Sequence, residues 1–106
     1  MVGPKPRGFW TNTVPPTGYR HLVPGRRYTV ALPFTDFDGG EHPAGETWWF
    51  CGWNYSAHDS GLSLFVSLDG EQEWHLRMAD WEGEQRGVIG SLATHVVEAD
   101  SIADGG

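Results

Sequence analysis

Leu62-Ser-Leu-Phe-Val-Ser-Leu-Asp-Gly-Glu-Gln-Glu-Trp-His-Leu-Arg-Met78 is the stretch whose reading decides the fold. Before Asp69-Gly70, Leu62, Leu64, Val66 and Leu68 recur at every second position; after it, Trp74, Leu76 and Met78 do the same. A period of two belongs to an extended strand with one buried face. Asp-Gly between two such runs signals a β-hairpin, because a type I′ turn needs φ > 0 at both central residues. The spacing therefore predicts a third strand over residues 62–68 and a fourth over 71–78, with His75 and Arg77 facing away from the core.

Two strands are expected upstream. After the turn signal Pro24-Gly25, Tyr28, Val30, Leu32 and Phe34 alternate, and Pro33, which has no N–H to donate, places the end of this first strand at an edge or bulge. Residues 46–55 form the second strand, with Trp48 and Phe50 on one face and Trp49, Cys51, Trp53 and Tyr55 on the other. A strand apolar on both faces needs cover on both, from the curl of the sheet and from the N-terminal arm or a helix. Downstream, Val88, Ile89, Leu92, Ala93, Val96 and Val97 recur at three and four, which suits a short amphipathic helix on the sheet. Gly87 and Gly90 weaken helix propensity, and a strand over residues 87–92 is the rival.

With 106 residues the chain makes one domain. Residues 1–21 are read as an extended proline-rich arm whose first eight residues lack regular structure, 22–98 as the β domain, and 99–106 as an acidic flexible tail. The expected fold is mainly β, a single small antiparallel sheet or SH3-like barrel of four to five strands with a short C-terminal helix, the alternative being all-β without helix. The one cysteine, Cys51, excludes an internal disulfide framework. The chain shows neither a signal-peptide pattern nor an apolar run of bilayer length, so a cytoplasmic monomer away from the membrane is expected.

The net charge of −7 hides an asymmetry: from Tyr28 onward two arginines stand against fourteen carboxylates, a balance of −12. Phosphate backbones are bound by Lys and Arg releasing counterions, so nucleic acid is not expected and a basic protein partner is.

Between the first two strands, Asp36, Asp38, Glu41, His42 and Glu46 crowd together around Gly39-Gly40. The spacing matches no calcium loop and no zinc ligand set, so no metal and no cofactor are expected. Asp36 and Asp38 suit turn capping, since an aspartate side chain accepts from the backbone two residues on. Cys51, mid-strand among aromatics, reads as a packing residue rather than a nucleophile, and no Gly-x-Ser-x-Gly elbow is present.

Pro24-Gly25-x-x-Tyr28-x-Val30, Phe34-x-Asp36-x-Asp38-Gly39, His42-x-x-Gly45-Glu46-x-Trp48-x-Phe50 and Ser60-Gly-Leu-Ser-Leu-Phe-Val before a glycine hairpin together resemble a small bacterial family filed as a domain of unknown function, DUF3601, over about residues 22–97. The resemblance implies a compact, mainly antiparallel β unit with a helical C-terminal piece beginning near Gln85, and no established activity.

The function expected is a non-enzymatic protein-binding module, in its concrete form an immunity or inhibitor protein that neutralises a basic enzyme or toxin. Its binding residues would be Asp36, Asp38, Glu41, His42 and Asp59 on the loops, with Trp49, Trp53 and Trp81 as anchors and Asp69, Glu71 and Glu73 of the hairpin steering approach. The alternative is a small enzyme or a metal or small-ligand binder using residues 36–46. Convergence of three of Asp36, Asp38, His42, Glu46, His58 and Asp59 in one concave pocket would favour it.

Overall fold

The computed structural model describes residues 1–14, 17–80 and 83–99. Strands β1 (Val2–Pro6), β2 (Arg27–Val30), β5 (Thr47–Ser56), β6 (Gly61–Ser67), β7 (Gln72–Ala79) and β8 (Val96–Glu98) form an antiparallel sheet in the order β1-β7-β6-β5-β2-β8. A two-stranded ribbon, β3 (Phe34–Thr35) with β4 (Glu41–His42), stands apart, and helices α1 (Glu84–Gly90) and α2 (Leu92–His95) precede β8. The mainly β fold with a short C-terminal helical piece is as expected; the sheet is open and six-stranded rather than a closed barrel.

Tyr28, Val30, Trp48, Phe50, Leu62, Leu64, Val66, Leu76 and Met78 form one face of the sheet, and Val88, Ile89 and Leu92 of the helices close over it. Gln85 ties the start of α1 to the sheet by accepting the Ala79 N–H at 2.8 Å. The helical reading of residues 87–92 holds, but Val96 and Val97 leave the helix and become β8 beside β2, with Val96 still buried in the same core.

The hairpin forms with its inward set as expected, except that Leu68 sits in the turn and is exposed. The connection is longer than a two-residue I′ turn. Residues 68–71 link the strands, Gly70 has φ +82°, and Asp69 Oδ1 accepts the Glu71 and Gln72 N–H groups, both at 2.8 Å.

In β5, register slips between Phe50 and Gly52: Phe50 faces Val66 and Gly52 faces Phe65, leaving Cys51 as a one-residue bulge. Alternation therefore switches face. Trp53 joins the core side with Tyr19 (ring centroids 4.9 Å), while Trp49 stays on the other face under the Arg27 guanidinium (5.1 Å). The expected pairing of Trp49 with Trp53 on one face is thus corrected by the extra residue.

The arm is ordered where disorder was expected. β1 pairs with β7, and after it Trp10 stacks on Phe65 (5.9 Å, 16°). A single carboxylate holds this segment: Glu73, fully buried, accepts from the N–H groups of Gly8 (2.8 Å), Trp10 (3.1 Å) and Thr11 (3.4 Å), the Thr11 hydroxyl, and the Arg7 guanidinium (3.0 Å). Burial alone would raise the pKa of Glu73, but these donors favour the charged form and bring it below the usual range. A role for Glu73 in steering a partner is excluded by its burial.

A candidate site around the central loop

Asp36 follows β3, His42 closes β4, and Glu46 immediately precedes β5, so the tight ribbon brings all three side chains to one point. His42 lies between the carboxylates, its Nε2 2.7 Å from Asp36 Oδ2 and its Nδ1 2.6 Å from Glu46 Oε2. Ionised carboxylates only accept, so both ring nitrogens donate and the ring is an imidazolium. Burial works against that charge; the two carboxylates outweigh it and raise the His42 pKa above its ordinary value.

Asp36 is saturated. Oδ1 accepts the N–H groups of Asp38 (3.0 Å) and Gly40 (2.9 Å), and Oδ2 accepts from the Met1 α-ammonium (2.5 Å) and His42. About four lone-pair sites exist on a carboxylate, and all are used. Burial opposes ionisation here too, but the ammonium, His42 and Gly40 hydrogen bonds hold the pKa of Asp36 below its ordinary value. Glu46 also accepts from the Trp48 indole at 3.3 Å. Asp36, His42 and Glu46 thus converge as a closed chain of ion pairs, with Asp36 and His42 almost without solvent contact. The turn-capping role read for Asp36 is present; a surface contact role for Asp36 and His42 is corrected by their burial.

The other expected binding residues scatter. Asp38 is exposed and bound by Arg77 (2.6 Å from Nη2 to Oδ1), whose guanidinium also covers Phe37 (5.1 Å). The Arg77 hydrogen bond is the main reason the pKa of Asp38 is lowered. Asp59 is exposed in the turn between β5 and β6, Glu41 is exposed on β4, and Trp49 and Trp53 are half-buried on opposite faces. Trp81 lies outside the described residues, as do Pro15 and Pro16 and the tail from Asp100. Cys51 is half-buried, and burial pushes its thiol pKa up, as suits a packing residue.

Two cavities adjoin these groups. A groove of about 640 Å³ runs between the β3–β4 ribbon and the helices, with Phe34, Glu41, His42, Glu84, Val88 and His95 among its walls. Of the six residues whose convergence was to be tested, only His42 lines it. A smaller cavity of about 230 Å³ at the ends of β6 and β7 holds Ser63 and His75, hydrogen-bonded at 2.7 Å, beside Asp59 and Arg77. Burial lowers the His75 pKa and keeps the ring neutral near pH 7. Sequence reasoning did not single out this pair, which a one-face reading of β6 and β7 would have found. Among the described residues, no group of three His, Cys, Asp or Glu side chains is disposed to hold a metal ion, and no helix is long and apolar enough to cross a membrane.

No family model matches this chain, and no curated protein does. Among solved structures it is similar to integron cassette protein VCH_CASS4 from the mobile metagenome of Vibrio cholerae, with a TM-score of 0.76 and 24% identity over 83% of this chain and 96% of that one. The likeness is one of fold.

Proposed function

We propose that this protein is a non-enzymatic protein-binding module whose partner is basic, and that its concrete role is to inhibit or neutralise a basic enzyme or toxin. The observation that carries the reading is the distribution of paired and unpaired charge. Each of the seven basic side chains is engaged within the molecule: Arg7, Arg26, Arg77 and Arg86 face Glu73, Glu98, Asp38 and Asp80, while Lys5, Arg20 and Arg27 lie over Phe9, Tyr19 and Trp49. Glu41, Glu71 and Glu84 are exposed and make no ion pair among the described residues. The three cations over rings keep their charge, so the negative sign comes from the balance of the whole chain, −7, and from the −12 carried from Tyr28 onward, and it steers basic surfaces toward the protein.

The alternative, chemistry at residues 36–46, has one observation in its favour, that His42 touches the groove. Both nitrogens of that ring already donate to carboxylates, which leaves no lone pair for a general base. Affinity capture from the source cell separates the two. A basic protein whose activity falls on binding supports the module; an acidic partner, or turnover of a small molecule abolished by His42→Gln in a variant that still folds, overturns it.

A further inference from the structure

We propose that the groove between the β3–β4 ribbon and the α1–α2 segment is a docking surface for an arginine-bearing loop of the protein partner, an inference that rests on the basic-partner reading. Two exposed carboxylates that make no ion pair among the described residues face this one groove, Glu41 from the ribbon and Glu84 from the first turn of α1, and no Lys or Arg among the described residues lines it. The buried chain behind the ribbon does not cancel that charge. Its two carboxylates, Asp36 and Glu46, are balanced by the His42 imidazolium and the Met1 ammonium, so the groove keeps the net sign of Glu41 and Glu84.

The shape and lining favour arginine over lysine. Phe34, buried but for 8% of its surface, forms part of the groove wall, stacked on His42 (4.8 Å, 21°) with His95 edge-on to it (6.3 Å, 83°), and Pro43 and Val88 add apolar wall. A guanidinium is planar, weakly hydrated and able to take a carboxylate with two parallel N–H donors while its face lies on a ring; an ammonium is a hydrated point charge. Sites of about 300–1,000 Å³ hold a ligand of several groups, and 640 Å³ falls in that range, so the occupant is a short segment rather than a single side chain.

The test is an amide-resolved NMR titration of the labelled protein, at low ionic strength, with acetyl-Gly-Arg-Gly-Arg-Gly-amide and with its Lys and Glu counterparts. Shifts at Thr35, Glu41, Gly87 and Ser91, larger for the Arg peptide than for the Lys peptide, absent for the Glu peptide and at least 10-fold weaker in affinity for Glu41→Gln/Glu84→Gln, are the expected result. Both substituted side chains are exposed, and an unchanged melting temperature of the double variant shows that the fold is kept. Shifts confined to the hairpin around Asp69 and Glu71 would overturn the groove while leaving the basic-partner reading standing. Equal response to the Arg and Glu peptides, or no response to either basic peptide, would overturn both.

Discussion

His42 carries a carboxylate on each ring nitrogen, and this makes one side chain the source of a definite pH dependence. Its folded pKa is raised above the ordinary 6.5, so its stabilising contribution is complete below pH 6.5 and is lost as pH rises through the folded value. Asp36 works the other way: its folded pKa is lowered from 3.8, so its contribution is complete above that pH and is lost as pH falls through the folded value. Melting temperature should therefore hold between the two limits and fall on the alkaline side. His42→Ala, which leaves two carboxylates facing each other, should cost roughly 3–5 kcal/mol and remove the alkaline slope; an unchanged slope in that variant would contradict the assignment. Gly39 and Gly40 give a second test at this scale. Gly39 has φ +84° in open space, so Gly39→Val should cost more than about 1 kcal/mol through strain alone. At Gly40 an added Cβ would lie 2.8 Å from Asp36 Oδ2 and 3.0 Å from the Met1 nitrogen, so Gly40→Ala should disturb the ion-pair chain itself. Thermal melts of both variants check this, and two unchanged midpoints would show that the loop is neither strained nor crowded.

Among the elements, the strands built on local alternation were legible and the features set by distant partners were not. Leu62, Leu64, Val66, Leu76 and Met78 announce β6 and β7 because their period is printed in the sequence. The slip at Cys51 leaves no such mark: the run from Trp48 to Tyr55 reads as simple alternation, and only the register with β6 reveals the extra residue. Glu73 was misplaced for a related reason. It sits on a hairpin strand like any exposed carboxylate, but its donors, at Arg7, Gly8, Trp10 and Thr11, come from more than sixty residues away. The crowding at Asp36, His42 and Glu46 was visible, whereas the Met1 ammonium that completes it was not. From the Glu73 anchor comes a prediction for the arm. Glu73→Ala strands buried donors without an acceptor and should destabilise by about 3 kcal/mol, with the amides of Gly8, Trp10 and Thr11 exchanging far faster than those of β6. Hydrogen exchange that stays protected at these three amides would show that pairing of β1 with β7 suffices to hold the arm.

Across the whole molecule, buried charge serves architecture, and in the proposed function the residual negative charge serves recognition. Asp36, Glu46 and Glu73 fasten the ribbon, the loop and the arm, and they do so from positions with little or no access to a partner. Glu41, Glu71 and Glu84 remain at the surface. Attraction between exposed charges fades beyond a Debye length of about 8 Å at physiological salt, so the salt dependence of their contribution belongs to the encounter, while short contacts in the groove hold the complex. The measurement that tests this most directly is the association rate of the captured partner, followed by stopped flow from low to high ionic strength, for the natural protein and for Glu41→Gln/Glu84→Gln. The account predicts an association rate that falls steeply with salt, a dissociation rate that barely moves, and a shallower salt slope in the double variant. An association rate independent of salt, or the same slope in both proteins, would contradict it.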